Sequence, residues 1–529
     1  MFIKLLEKEK LFMIDYKIKK VEEMTIDELI GQVIMIGLPG QSLDEESKKF
    51  IEQYSIGNYI LFTRNYNNTN QMKSFMKELY QYTIDKTGSF PLVSIDQEGG
   101  MVVRLFKDVT FPASPLTTSA TSVEDAPYKT GLIIGKDMLK MGINLNLAPC
   151  LEVNDNLSNP LINVRGYGGT KEIVLKNASL FVKGVQESGA LSCIKHFPGA
   201  GSSTKDSHLE LPIIEDAKET LLNYNMYPFI NLTDSDALMS SHCIYKSFDE
   251  YPSTLSKVLL TETLRNQYGF DGLIISDGME MNAIKDYYGI GEGCVMALNA
   301  GCDILLLCHE YDEQLTAFKA VKKAVEENII SVDTLKDKVR RINRYKEKLI
   351  NKMNEYFTSE EYIVQTKEHE LMQEIVDNSY TLVKGTAPYI DENTLVIASN
   401  VMVASIAEDE FDERNLNKVL KQSFKNNEII EFRKDDDFIE EVMNKVNNYK
   451  HILIYSYDAY RHKVQKELIN KILKLEKEVH VISIKGPSDR FHFEGLKNYS
   501  CLYEYTPNSL RTIVKQLKHE INLNGKLPL

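Results

Sequence analysis

"ALSCIKHFPGAGSSTKDSH" (Ala190–His208) joins an apolar run to a glycine-hinged polar loop, and that join decides the fold. The run is short and nearly continuous in hydrophobicity, as expected of a parallel strand covered on both faces. It ends on Lys195 and His196, turns at Pro-Gly-Ala-Gly, and continues to Asp206 and His208. Similar runs recur at 31–38 ("GQVIMIGL"), 56–62, 90–96 ("FPLVSID"), 142–149, 236–242 ("DALMSSH"), 272–277 ("GLIISD") and 302–308. Helix-period segments such as "NQMKSFMKELYQYTIDK" and "EIVLKNASLFVKGVQESG" separate them. Strands alternating with helices predict a parallel sheet, and eight of them predict a (β/α)8 TIM-type barrel. Periodicity does not register closure, so an open doubly wound sheet satisfies the same pattern.

Polar residues cluster at the ends of these runs: Asp96, Lys195 with His196, His242 and Asp277. In a parallel barrel those ends face one rim, where the loops build the site. Beyond the eighth run, "LKDKVRRINRYKEKLINKMNEY" (335–356) reads as a long charged helix. New apolar runs at 393–399, 450–458 and 477–485 predict a second, smaller α/β domain with an open parallel sheet. The expected order is an N-terminal extension (1–24) read as a charged helix outside the barrel, the barrel (25–355), a linker (356–384) and the C-terminal α/β sandwich domain (385–529).

The bulk composition narrows the function. Lys+Arg number 62 and Asp+Glu 76, for a net charge of −14. That argues against nucleic acid as a partner, because phosphate binding wants a basic face. No run approaches 18 apolar residues, so no membrane-spanning helix is expected. The seven scattered cysteines form no C-x-x-C pair. They read as reduced core thiols in a cytoplasmic protein. The chain has no tryptophan, so a sugar-stacking surface must use Tyr or Phe. "GLPGQS" and "IGEG" fit no phosphate-cradling or dinucleotide fingerprint.

The candidate residues each carry a chemical and a plainer reading. Asp206 beside His208 makes a poised acid–base pair, or simply a solvated loop. A metal site from His196, His208 and Asp206 matches no compact ligand spacing. Asp277, at a strand tip, reads as a nucleophile or as the cap of the next helix. Asp96 suits a pair of sugar hydroxyls, or a structural pair with Arg104. Arg165, Lys195 and His196 supply donors. His242 joins the binding candidates against the plainer reading of a satisfied rim histidine. Carboxylates, one Asp–His pair and cationic donors together fit glycosyl transfer.

At these residues the sequence resembles glycoside hydrolase family 3, in its bacterial β-N-acetylglucosaminidase (β-hexosaminidase) branch. "KHFPGAGSSTKDSH", "IDQEGGMVVRL", "NPLINVRGYGG" and "GLIISDGMEM" carry the resemblance, which covers roughly residues 25–350. It implies a retaining exo-β-N-acetylglucosaminidase, with Asp277 as nucleophile and His208, assisted by Asp206, as general acid/base. Asp96, Arg104, Arg165, Lys195 and His196 would hold the sugar. The implied partner is a GlcNAc-containing glycan such as a peptidoglycan-derived muropeptide, and no metal or organic cofactor is implied. Three positions depart from the family pattern: Ala200 for the loop's second His, Met101 for Arg after Gly-Gly, and Gly278 for the residue after the nucleophile. A glycoside phosphorylase and a catalytically silent sugar-binding protein are the competing readings.

Overall fold

The computed structural model describes residues 18–155, 159, 162–200, 211–357, 366–399, 415–435 and 437–529. Eight parallel strands close into a barrel: β1 (Ile34–Gly37), β2 (Asn58–Leu61), β3 (Leu92–Ile95), β4 (Leu145–Asn146), β5 (Leu191–Phe197), β6 (Ala237–Ser240), β7 (Leu273–Gly278) and β8 (Ile304–Leu307). Each strand pairs with its sequence neighbours, and β8 returns to β1 with Ile34 opposite Leu305 and Ile36 opposite Leu307. Every residue of β1, β2, β3, β6 and β8 is buried. Interior side chains fill one face and the helical ring covers the other, which is why these strands read as continuous apolar runs.

The charged helix beyond β8 spans Val332–Phe357. Its Leu335, Val339, Ile342, Leu349 and Met353 recur at helical spacing and are buried in the barrel core. Most of its charges occupy the other face, while Lys338 and Lys346 are buried and donate to Cys302 O and to Gln32 Oε1 and Gly57 O. The N-terminal extension departs from expectation over residues 18–24. Val21–Glu23 form one 3₁₀ turn, and Val21 is buried in the barrel core rather than lying outside it. Residues 18–24 hold three apolar residues among four charged ones, and a segment this short does not sustain a helix against the barrel.

A second sheet has the order β9-β14-β13-β12-β10-β11, with β9 (Thr381–Lys384), β10 (Thr394–Ala398), β11 (Glu428–Glu431), β12 (His451–Ser456), β13 (Glu478–Ser483) and β14 (Asn498–Cys501). The sheet is mixed rather than purely parallel, because edge strand β9 runs antiparallel to β14. β9 also lies inside the stretch expected to be a linker. The helix Thr366–Asp377 in that stretch is likewise packed. Its Met372, Ile375 and Val376 bury against Ala113, Ala126 and Ile133 of the barrel. Its Gln373 donates to Asn508 O and Thr512 Oγ1 of the second domain at 3.1 and 3.0 Å. The connection is therefore a bridge with an apolar face for the barrel and polar bonds to the sheet domain.

The second domain docks on the barrel loops. Ser114 N and Thr117 Oγ1 donate to Glu504 Oε2 at 2.7 and 2.8 Å. Met101, Leu116, Ala120 and Val164 of the barrel belong to the second domain's hydrophobic core.

Candidate active site

The barrel's C-terminal rim surrounds a cavity of about 370 Å³. Asp96, Arg104, Arg165, Lys195, His196 and Asp277 all line it. Asp206 and His208 lie outside the described residues. β3 ends at Ile95 and delivers Asp96; β5 carries Lys195 and His196; β7 carries Asp277.

Four charges form a chain across the cavity wall. Lys195 Nζ donates to Asp96 Oδ1 at 2.6 Å and approaches Glu98 Oε1 at 2.8 Å. Arg165 grips the same Glu98 with Nε and a terminal nitrogen, each at 2.8 Å. Arg104 approaches Asp96 at 4.0 Å. Lys195 and Glu98 are almost wholly buried. Burial alone would raise the Glu98 carboxyl, but Arg165 and Lys195 hold it well below the usual carboxylate range. Burial would likewise lower the Lys195 ammonium, and Asp96 and Glu98 keep it above its ordinary value. Each charge is tolerated because its neighbour carries the opposite sign.

The motif "QEGGMVVRL" explains how Glu98 and Arg104 get there. Gln97–Gly99 and Val102–Val103 pair as an antiparallel hairpin. Gln97 Oε1 accepts from Arg104 N and Leu105 N at 3.0 and 3.1 Å, and Gln97 Nε2 donates to Leu105 O. Gly99 and Gly100 take φ of 105° and 61°, a region that favours glycine. A Cβ on Gly99 would sit 2.2 Å from Ala113 O. The hairpin aims Met101 away from the cavity and into the second domain, where Tyr505 N approaches its Sδ at 3.4 Å. The departure to Met101 thus matches an apolar interface.

His196 is held by a residue the sequence reading did not single out. Its backbone N and Nδ1 both meet Glu152 Oε1, at 2.9 and 2.7 Å. Glu152 is fully buried, and its Oε2 has no hydrogen-bond partner among the described residues. Cys150, Glu152 and His196 bring one ligand-type atom each within 4.8 Å of one another. Burial pushes the Cys150 thiol well up, so it enters as a neutral S–H.

Asp277 Oδ1 accepts from Gly278 N at 2.8 Å. His242 does not line the cavity. It is 1% exposed, with Nδ1 2.8 Å from Thr254 Oγ1 and Nε2 2.9 Å from Gly278 O. The expectation of sugar contact by His242 therefore gives way to the satisfied rim histidine, whose bond to Gly278 O positions the backbone after Asp277. A Cβ at Gly278 would meet Glu280 Oε2 at 3.5 Å and Cys308 Sγ at 3.6 Å, ordinary contacts that leave room. Ala200 is on the cavity wall, and its carbonyl accepts from Asn159 Nδ2 at 3.4 Å.

Further lining residues were not foreseen. Glu280 accepts from Cys308 N, and burial raises its carboxyl above the usual range. Phe62, Arg64 and His309 form a lip. The Arg64 guanidinium sits 4.4 Å from the Phe62 ring centre and 3.1 Å from His309 Nδ1. Phe62 is the only Phe or Tyr among the described lining residues. The signals for Glu98 and Glu280 were their spacings from Asp96 and Asp277. Arg64 sits in a 3₁₀ turn (Thr63–Asn65), whereas Glu152 and His309 come from loops and carried none.

Among the described residues no helix is long and apolar enough to cross a membrane. The chain matches the family description "Glycosyl hydrolase family 3 N terminal domain" over residues 25–345. It is 34% identical over 283 residues to a beta-hexosaminidase of Tolumonas auensis, covering 52% of this chain and 82% of that protein. It is 29% identical over 374 residues to beta-hexosaminidase A of Pseudoalteromonas piscicida, spanning 62% of each chain. Among solved structures, a glycoside hydrolase family 3 beta-N-acetylglucosaminidase from Paenibacillus sp. superposes with a TM-score of 0.88 at 30% identity, over 96% of this chain and 98% of that one. A beta-glucoside phosphorylase, at 21% identity and a TM-score of 0.78, shares the fold. With more than half its length matched by the family description, the chain belongs to glycosyl hydrolase family 3.

Proposed function

We propose that the protein is a retaining exo-β-N-acetylglucosaminidase. The observation that carries this reading is Asp277 lining one cavity with the compensated Asp96–Lys195–Glu98–Arg165 chain. An Asp277 carboxylate oxygen attacks the anomeric carbon and the bond to the aglycone oxygen breaks. His208, with Asp206 holding its ring, gives that oxygen its proton. Water then attacks the glycosyl ester, loses a proton to His208 and releases the sugar and a free Asp277. Lys195, Arg104 and Asp96 offer donors and acceptors for ring hydroxyls, and Glu98 keeps the two cations charged.

A cavity near the low end of the ligand-site range suits one terminal sugar unit. The similar proteins named beta-hexosaminidase and beta-N-acetylglucosaminidase support an N-acetylated sugar. GlcNAc on a muropeptide-type glycan is the proposed substrate. All seven cysteines are buried and free, which supports a reducing, cytoplasmic home.

The test compares chromogenic β-GlcNAc and β-glucoside substrates, with and without phosphate, while NMR follows the first anomer released. Phosphate-independent release of β-GlcNAc is expected. A strict phosphate requirement with sugar 1-phosphate as product, or an α-anomer first, would overturn the reading.

A further inference from the structure

The second sheet holds a cluster of ligand-type side chains that the barrel site does not use. In-register pairing of β10, β12 and β13 sets Thr394, His451 and Glu478 in one row, and His480 follows two residues along β13. His451 and His480 are each 1% exposed, while Glu478 reaches the surface. His451 Nε2 and His480 Nδ1 stand 2.9 Å apart.

The outer nitrogens assign both tautomers. Thr394 Oγ1 gives its one proton to Asp391 Oδ1 at 2.6 Å and accepts from Asp391 N at 3.0 Å. Towards His451 Nδ1, 3.1 Å away, that hydroxyl can only accept, so Nδ1 carries the ring proton. His480 Nε2 lies 3.1 Å from Thr386 O, a carbonyl that never donates, and 3.2 Å from Thr386 Oγ1, whose proton goes to Asn498 Oδ1 at 3.3 Å, so Nε2 carries the proton there. In neutral rings the two inner nitrogens then face each other as lone pairs. Such a pair repels unless a cation sits between them. A shared proton would make a buried imidazolium, which desolvation disfavours.

Two bonds of about 2.0–2.1 Å reach across this gap at an angle of about 90°, and a shift of about 0.4 Å between the rings opens it to the tetrahedral value. The outer hydrogen bonds are those that fix a metal-binding imidazole. Glu478 completes the set: one ligand atom from each of the three residues lies within 4.8 Å of the others. Tyr389 orients two of the three. Its ring stacks on His451 at 4.1 Å, and its hydroxyl donates to Glu478 Oε2 at 3.0 Å.

We propose that His451 Nε2, His480 Nδ1 and a Glu478 carboxylate oxygen bind a divalent transition cation of the zinc type, with water completing its shell. Nitrogen with one carboxylate selects a borderline ion such as Zn²⁺ over Mg²⁺ or Ca²⁺. The site ties the starts of β12 and β13 together and is structural, independent of the barrel's reaction.

The experiment takes the full chain, strips it with a chelator, and titrates it with ZnCl₂ by calorimetry. One tight site is expected, weakened about 10- to 100-fold or abolished in His451→Gln and His480→Gln. Metal-free melting temperatures report whether those variants fold. X-ray absorption of the wild-type zinc complex decides independently of any variant. Nitrogen and oxygen neighbours alone are expected, whereas sulfur at about 2.3 Å would move the ion to Cys150. No zinc binding, unchanged binding in both folded variants, or a sulfur shell would each overturn the proposal.

Discussion

Each sheet holds a cluster of polar side chains, and the two clusters sit at opposite strand ends. The barrel keeps Asp96, Lys195 and Asp277 at the C-terminal ends of β3, β5 and β7, around an open cavity. The second sheet keeps Thr394, His451 and Glu478 at strand starts. The barrel's groups are full charges that neutralise one another. The buried groups of this strand-start cluster are neutral rings stitched to hydroxyls and a carbonyl, while the second domain's own buried ion pair, Lys485 with Asp458 at 3.5 Å, lies past the ends of β12 and β13. Buried charge is costly, and away from the cavity it is paired as well, as in Asp303 with Arg265 and Arg341. The described cavity lining comes from the barrel, and the second domain packs on the barrel's loops.

Breaking the barrel side should cost most. Asp277→Ala should lower kcat by about 10⁴–10⁶-fold with folding intact, read by turnover of a chromogenic β-GlcNAc substrate and circular dichroism. His208→Ala should cost about 10²–10⁴-fold on poor leaving groups and much less on good ones. An equal loss on both would remove His208 from the acid role.

Lys195→Met removes the buried cation that Asp96 and Glu98 share, leaving Glu98 to Arg165 and Asp96 to the more distant Arg104. A loss of about 3–5 kcal/mol in stability is expected from denaturant unfolding. Met101→Arg sharpens the docking side of the comparison. A charge placed in the apolar interface around Leu116 and Val164 should cost about 2 kcal/mol or more and lower the melting temperature.

The smallest effect is in pH dependence. The Glu98 carboxyl is depressed in the folded state, from an ordinary value of 4.5, by its cations. Its contribution is present above 4.5 and is lost as pH falls below that value towards the folded one. Glu98→Gln should therefore flatten the acid limb of stability against pH, measured by melting temperature across the acid range.

What the sequence revealed follows the same contrast. The eight barrel strands were legible because burial on both faces leaves uninterrupted apolar runs. In the second sheet the interior strands β10, β12 and β13 were legible for the same reason. The edge strands were not: β9 exposes Leu382, and β11 has only Ile429 and Ile430 to bury between two glutamates. β14 hid behind polar Asn498 and Ser500. In the site, Asp96, Lys195, His196 and Asp277 announced themselves by position at strand ends. Glu152 did not, because its grip on His196 is a contact between the loop after β4 and the tip of β5, distant in sequence. Met101 looked like an unexplained departure until Tyr505 and the second core stood beside it.

The central claim is that Asp277 becomes covalently attached to the sugar. A slow N-acetylglucosaminyl fluoride carrying an added ring fluorine should trap that ester, and peptide mass spectrometry locates it. The account predicts one label per chain, on Asp277. A label on Glu280 or Glu152, or none on an enzyme that turns the reagent over, would contradict it.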